Sequence, residues 1–324
     1  MLRLIRYQDD MQESWNRFLD SAVNSHFFFT REYVLHQKDR FEDHSVMVLK
    51  NDTIAAMFAA VETTGQSGIK EWHTHAGLSF GGLIQSPSAD MKTVVEVFRM
   101  LKEYLLENGF SNVKYKAMPH IYYSITSLED RYALFLNGAK HWYTQPYSVI
   151  SPGAYRGLSS RQKTRIRSIR KNNPVYIADI GATEDLEQFH DGLSANLKKK
   201  YGVQPVHSLN ELKQLKALFP DNILIKGLKE KDEILAGVVL FKNRTVMHTQ
   251  YLYNTPRGHD NDSLMILLDG IIREYNREYY FSLGTSSEQN GTVLNSGLIH
   301  FKEKFGARSI TQDFYQWNLK ESSN

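Results

Sequence analysis

Ile223-Leu-Ile-Lys-Gly-Leu228, Leu235-Ala-Gly-Val-Val-Leu-Phe241 and Thr245-Val-Met-His-Thr-Gln-Tyr-Leu-Tyr253 follow one another with only short polar breaks between them. Each is a short run rich in β-branched and aromatic residues and bounded by turn formers, the signature of a strand. The charged break Lys229-Glu-Lys-Asp-Glu233 is short enough to make the first two a hairpin. Beyond Pro256-Arg-Gly-His259 the periodicity changes to that of a helix over residues 263–276. A strand at 279–283, a Gly/Ser loop, a helix at 293–304 and a last strand at 309–317 complete the order. Three consecutive strands and then helix, strand, helix, strand is not the strict alternation of a Rossmann sheet.

The first half passes through the same elements in the same order. A helix near residues 11–23 precedes Phe27-Phe-Phe-Thr-Arg-Glu-Tyr33 and a second helix. Strands at 45–50 and 54–61 flank the turn Asn51-Asp52. Residues 72–83 read as a further strand interrupted by Gly77, Gly81 and Gly82. Pro87-Ser88 opens a long helix that Asn108-Gly109 ends, and strand 113–117, helix 128–137 and strand 142–150 follow. The repeat predicts two lobes, residues 1–150 and 151–324, with 45–50 equivalent to 223–228 and 54–61 to 235–241. In the second lobe, helices at 183–200 and 209–218 precede the hairpin.

The chain has 324 residues, 41% hydrophobic and 23% charged, which suits a two-lobed globular protein with a real core. It has no cysteine, which excludes disulfides, thiol nucleophiles and cysteine-held metals. His73 and His75 lie two apart, but no third ligand follows, so no metal is expected. The opening Met1-Leu-Arg-Leu-Ile-Arg becomes charged too soon for a signal peptide. No apolar run is long enough to span a bilayer. The protein is therefore expected in the cytoplasm, with peripheral membrane contact open to it and its oligomeric state undetermined. The net charge is only +3, so affinity for anions must come from local clustering. Arg156, Arg161, Lys163, Arg165, Arg167, Arg170 and Lys171 form such a cluster, with no acid between residues 152 and 178. On a helix Leu158, Gln162, Ile166 and Ile169 would face inward, with Lys163, Arg167 and Arg170 on one outer side.

Several patterns together resemble a known family. They are Ile234-Leu-Ala-Gly237-Val-Val-Leu-Phe241, Phe281-Ser-Leu-Gly284 and Leu298-Ile-His-Phe301-Lys302-Glu-Lys-Phe305-Gly306. They are similar to the C-terminal lobe of the Fem-type (FemABX-like) aminoacyltransferases and related GNAT acetyltransferases of polysaccharide clusters. The basic stretch 161–171 resembles that family's helix leading into its second lobe, and coverage runs from about residue 15 to 315. The resemblance implies an α/β (α+β) fold of tandem duplicated GNAT-like (acyl-CoA N-acyltransferase) lobes, mixed central sheets flanked by helices. It implies an N-acyltransferase that moves an acyl group, acetyl from acetyl-CoA or another acyl-CoA, to an amine of a bacterial cell-surface sugar precursor. The acceptor would be a small molecule or lipid-linked sugar. The alternative is a Fem-type enzyme taking an aminoacyl group from tRNA to a peptidoglycan precursor. A third reading is a non-catalytic protein that holds a glycolipid or nucleotide sugar. The chain departs from the family in having no long helical arm and no Arg/Gln-x-x-Gly-x-Gly/Ala signature after its third strand.

Direct attack of an amine on an acyl carbonyl needs positioning, a base and something to hold the oxyanion. Lys302 falls where the Fem-type Phe-Lys occurs, and the resemblance places it near the donor with Phe301 beside it. It would lie at the margin of the buried face formed by Leu294, Leu298 and Phe301; a solvated helix position is the other reading. Glu288 is a candidate base or a plain turn residue. Arg257, Gly258 and Ser263 stand at a helix start suited to donor phosphates, or they serve ordinary capping. Arg161, Lys163, Arg167 and Arg170 are candidates for an anionic substrate, and the resemblance makes Tyr115 and Lys116 candidates for an acceptor wall.

Overall fold

The computed structural model describes residues 1–65, 68–172 and 174–321. Two compact units form, one from residues 1–146, 289–293 and 311–324, the other from 147–288 and 294–310. The division is thus not a single cut at residue 150, because the end of the chain returns to the first unit.

In chain order the first unit opens with β1 (Leu2–Arg6), α1 (Gln12–Ser21), α2 (Arg31–Leu35), β2 (Glu42–Asp43), β3 (Val46–Lys50) and β4 (Thr53–Phe58). It continues through β5 (Val61–Thr64), β6 (Lys70–His73), β7 (Ile84–Gln85), α3 (Met91–Glu107), β8 (Asn112–Lys116), α4 (Glu129–Leu136) and into β9 (Lys140–Ile150). Then come α5 (Ser160–Asn172), β10 (Tyr176–Asp179), α6 (Thr183–Tyr201), α7 (Leu209–Leu218), β11 (Ile223–Glu230), β12 (Glu233–Lys242) and β13 (Val246–Asn254). The chain ends with α8 (Pro256–Asp260), α9 (Ser263–Tyr275), β14 (Tyr280–Thr285), the short β15 (Ser287–Glu288) and β16 (Val293–Leu294), α10 (Ser296–Glu303) and β17 (Arg308–Asn318).

The two units repeat one plan. In the first, β3 and β4 form an antiparallel hairpin with β1 on the outer side of β3, and two helices separate β1 from β3. In the second, β11 and β12 form the hairpin, β10 lies outside β11, and α6 and α7 intervene. The hairpins expected to correspond therefore do. Each unit also contains one parallel strand pair. It joins Glu71, Trp72 and His73 of β6 to Asn112, Val113 and Lys114 of β8. In the second unit it joins Val246, Met247 and His248 of β13 to Tyr280, Phe281 and Ser282 of β14.

Local chemistry sets the helices that support these strands. Asp90 caps α3 by accepting from Thr93 N at 2.8 Å. Val94, Val97, Phe98, Leu101 and Leu105 then recur at helical spacing and pack with Trp72, Trp317 and Tyr115 in the core of the first unit. α7 begins in a capping box between Ser208 and Glu211. α9 sends Ile266, Leu267, Ile271 and Ile272 into the second core, with Val238, Phe281 and Phe305. Gly237 is small because a Cβ there would lie 2.3 Å from the Tyr253 ring.

One sequence expectation fails here. Residues 72–83 are not one strand: β6 stops at His73, the chain loops away, and only Ile84–Gln85 return to a sheet as β7. His75 takes a left-handed backbone (φ 56°), as does Gly82 (φ 88°). A Cβ on Gly81 would sit 2.1 Å from the Thr74 carbonyl oxygen. The glycines accordingly mark a tight loop.

Candidate functional site

In the second unit the parallel pairing of β13 and β14 ends at His248 and Ser282. β13 continues to Asn254 beside β12, while β14 continues to Thr285 beside Tyr147 of β9. The β12–β13 register shifts at Val239/Leu240, which leaves Gln250 as an extra residue just past His248. Past this parting point a side chain takes the β14 carbonyls. Lys302 Nζ donates to Gly284 O at 3.0 Å and to Thr285 O at 2.6 Å.

Lys302 is 2% exposed. Among the described residues no carboxylate pairs with it, and burial lowers its pKa to about 7. Its helix starts later than the sequence suggested. Asn295 caps α10 by accepting from Leu298 N at 3.0 Å, so Leu294 lies before the helix and is exposed. The inward residue of α10 is Lys302 itself, not a residue at the margin. Phe301 is half-buried and meets Phe305 edge-on, at 5.4 Å between ring centroids.

Around the parting point lies a second polar group that the sequence reading missed. His248 Nδ1 is 3.0 Å from Ser282 Oγ, and that oxygen also accepts from Gly284 N at 3.4 Å. Tyr147 stacks on the His248 ring, with centroids 6.5 Å apart. Burial, and then the charge of Lys302, bring the His248 pKa down to about 4, so the imidazole is neutral at ordinary pH. The available signal was a repeated dipeptide, His73-Thr74 and His248-Thr249, each ending its parallel pair.

The corresponding place in the first unit is filled by the chain itself. Beyond His73 the loop 74–83 lies along β8, with Gly81 N donating to Lys116 O at 3.0 Å. Lys116 Nζ holds that loop through Leu78 O at 2.7 Å, Ala76 O at 2.9 Å and His75 O at 3.4 Å. Its pKa is lowered to about 8 by burial. Tyr115 is enclosed, its hydroxyl donating to Asp130 Oδ2 at 2.6 Å and accepting from Leu83 N at 2.8 Å. Both residues were expected at an acceptor wall, but their polar atoms are engaged within the first unit.

The remaining candidates are more scattered. Glu288 is exposed, and its carboxylate accepts from Asn295 at 3.1 Å. Arg257 is ion-paired with Glu230 and Glu233. Gly258 N donates to Thr255 Oγ1 at 3.0 Å, and a Cβ at Gly258 would lie 2.1 Å from Leu235 O, so this glycine lets α8 press onto β12. Ser263 begins α9, is 1% exposed, and its hydroxyl has no partner among the described residues. Asp262 before it pairs with Arg165 of α5.

Ile166 of α5 is buried and its Gln162 and Ile169 are half-buried, as the periodicity required, whereas Leu158, also buried, lies two residues before the helix. The basic residues flank this stripe on both sides. At about 100° per residue, Lys163, Arg167 and Arg170 fall on one flank and Arg161 with Arg165 on the other. Arg161, Lys163, Arg167 and Arg170 pair with no acid among the described residues. A depression of about 690 Å³ runs along the second flank, lined by Ser160, Arg161, Thr164, Arg165, Ser168, Ile169 and Asp260. Among the described residues no group of three His, Asp or Glu is placed to hold a metal. No described helix is long and apolar enough to cross a membrane.

No family profile matches the chain, and no curated protein matches it in sequence. Solved structures do resemble it. FemX superposes with a TM-score of 0.69 at 10% identity, over 97% of this chain and 96% of FemX. L-PGS from Bacillus licheniformis gives 0.60 at 14% identity, over 96% and 92% of the two chains. A tandem GNAT protein from the clavulanic acid biosynthesis pathway gives 0.54 at 8% identity, over the whole of both. The chain therefore has a duplicated GNAT-like fold, and the resemblance extends along its full length.

Proposed function

We propose that the protein is an N-acyltransferase whose acyl donor lies in the second unit, where β13 and β14 part. The observation that carries this reading is Lys302, a buried ammonium with two carbonyl acceptors and no acid paired with it among the described residues. A cation held so in a dry site is well placed to offset negative charge that develops on an acyl carbonyl oxygen during attack by an amine. The buried, unpartnered hydroxyl of Ser263 at the start of α9 supports a donor phosphate at that helix end. The loop that fills the equivalent place in the first unit supports one donor site per chain. Acetyl-CoA or another acyl-CoA is the donor in this reading, and an amine of a cell-surface sugar precursor is the acceptor.

A second reading, aminoacyl transfer from tRNA, is favoured by the unpaired basic residues of α5. Polyanion binding draws on such charges without needing a shaped pocket. Thermal-shift titration with acyl-CoA esters, nucleotide sugars and aminoacylated RNA, followed by mass spectrometry of the products, tests both. Stabilisation by one donor class and an acylated amine product are expected. No stabilisation and no product across all three classes would remove the transferase reading.

A further inference from the structure

The His248–Ser282–Gly284 group offers one order of donors and acceptors that uses every proton. The Gly284 amide can only donate, and it donates to Ser282 Oγ. That hydroxyl lies 3.0 Å from His248 Nδ1. With one donor already aimed at its oxygen, Ser282 has its own O–H to give, and Nδ1 is the acceptor in reach. With Nδ1 accepting from Ser282, the single ring proton of a neutral imidazole lies on Nε2. Among the described residues Nε2 has no hydrogen-bond partner, and it is not among the enclosed unpartnered atoms. Tyr147 stacks on the ring at 6.5 Å between centroids, and the ring Cε1 lies beside Gly284, 3.4 Å from where a Cβ would stand. Gly284 has φ +72°, which a side chain would also strain.

We propose that His248 is a neutral hydrogen-bond donor to the acyl carbonyl, offering its Nε2–H to the oxygen that becomes the tetrahedral oxyanion, with Ser282 fixing the tautomer. The proposal rests on the acyl-transfer reading above. In the step it serves, the amine nitrogen bonds to the acyl carbon and the carbonyl electron pair moves onto oxygen. The pair returns as the carbon–sulfur bond of a thioester, or the carbon–oxygen bond of an ester, breaks. The amine proton leaves with the departing thiol or hydroxyl, and His248 keeps its own proton throughout. Near-neutrality is what suits the ring to this role: a second full cation beside Lys302 would be costly in a buried place. The first unit provides the contrast. His73 closes the corresponding strand pair, but Lys114 stands opposite it where Ser282 stands opposite His248, and among the described residues no hydroxyl is hydrogen-bonded to its ring.

Nitrogen-15 NMR of the histidine rings in the full chain tests the first half of the proposal without any substrate. At pH 7 His248 is expected neutral with the proton on Nε2. A proton on Nδ1, or a charged ring, overturns the proposal whatever the protein's reaction is. Acetyl-CoA against CoA, and an aminoacylated RNA minihelix against its deacylated form, test the second half. The acylated member of one pair should shift the Nε2–H resonance, and its deacylated partner should not. If an acylated probe shifts other second-unit resonances but leaves Nε2 as its partner does, the role of His248 fails while the donor reading stands. If neither pair shifts anything, the donor reading fails and takes the role of His248 with it. In turnover, His248→Phe should lower kcat about a hundredfold with little change in KM, the usual scale for one oxyanion donor. His248→Gln, which retains an N–H, should recover part of that loss. Equal kcat in wild type and a folded His248→Phe overturns the proposal.

Discussion

The ammonium of Lys302 donates to the carbonyl of Gly284 at 3.0 Å, joining α10 to the end of β14 by a charge that no acid among the described residues neutralises. This contact puts a titrating group near pH 7 where the proposed oxyanion would form. Lysine's ordinary pKa is 10.5, and burial lowers this one to about 7. Between those values the unfolded chain holds a proton that the folded chain lacks, so this group makes stability rise with pH. Any activity that needs the ammonium runs the opposite way and declines above about pH 7.

Lys302→Met should therefore lower turnover by roughly ten- to a thousandfold while the protein stays folded. It should also remove the alkaline fall in kcat near pH 7. The rise in melting temperature between pH 7 and 10 should become shallower than in wild type. Paired pH profiles of kcat and thermal melting check this. Normal turnover in the folded variant would exclude Lys302 from the mechanism.

Much of the fold could be read from period and turn chemistry alone, because those signals are local. The hairpin of β11 and β12, the bounds of α7, and the inward stripe Gln162, Ile166 and Ile169 of α5 all came from spacing. What spacing could not supply was adjacency across strands. His248 and Ser282 are far apart in sequence, and only the parallel register makes them neighbours. Arg257 looked free for phosphate because Glu230 and Glu233 precede the strand that carries the chain to it. Lys302 was found through the resemblance. Its inward direction was misjudged because Leu294, counted toward the buried face, lies before α10 and is exposed, while Lys302 is the buried residue of that helix.

The loop 74–83 should be a pinned segment, not a mobile lid. A methyl on Gly81 would meet the Thr74 carbonyl, so Gly81→Ala should cost about 1–3 kcal/mol, the range for overpacking. Lys116→Met removes three donated hydrogen bonds and should raise hydrogen exchange at residues 76–82. Denaturant melts and exchange mass spectrometry are the measurements. Unchanged exchange in Lys116→Met would show that the loop holds without its lysine.

Acid should destabilise the protein before carboxylates protonate. Burial lowers the pKa of His44, His75 and His248 to about 4 and that of His73 to about 3, from an ordinary 6.5. Between those values the unfolded chain binds more protons, so stability falls as pH drops from about 6.5 toward 4. Melting temperatures across pH 4–7 should show that decline, and His248→Gln should reduce its slope. A flat profile over that range would mean these rings stay accessible to protons in the folded chain.

The basic helix α5 makes the sharpest distinction between the two donor readings. Its inward stripe packs on the second core, so the outer residues are not needed to hold the helix. Lys163 and Arg167 lie on one flank and pair with nothing described, whereas Arg165 on the other flank is already bound to Asp262. Neutralising Lys163 and Arg167 to Gln should leave stability within about 0.5 kcal/mol, as for most surface changes. If a single-stranded tRNA end lies on this flank, each lost phosphate contact removes roughly 0.7 from the slope of log affinity against log salt. The double variant should then show a slope reduced by about 1.4, with weaker binding at low salt. Arg161→Gln, on the flank beside the depression, should change that slope by no more than one contact. Acetyl-CoA binding should be untouched by either change, because its phosphates belong at α9 in this reading. Fluorescence titrations of tRNA and of acetyl-CoA at several salt concentrations measure all of this on the intact chain. Unchanged tRNA affinity and slope in both variants would reduce α5 to a solvated surface and leave acyl-CoA as the remaining donor.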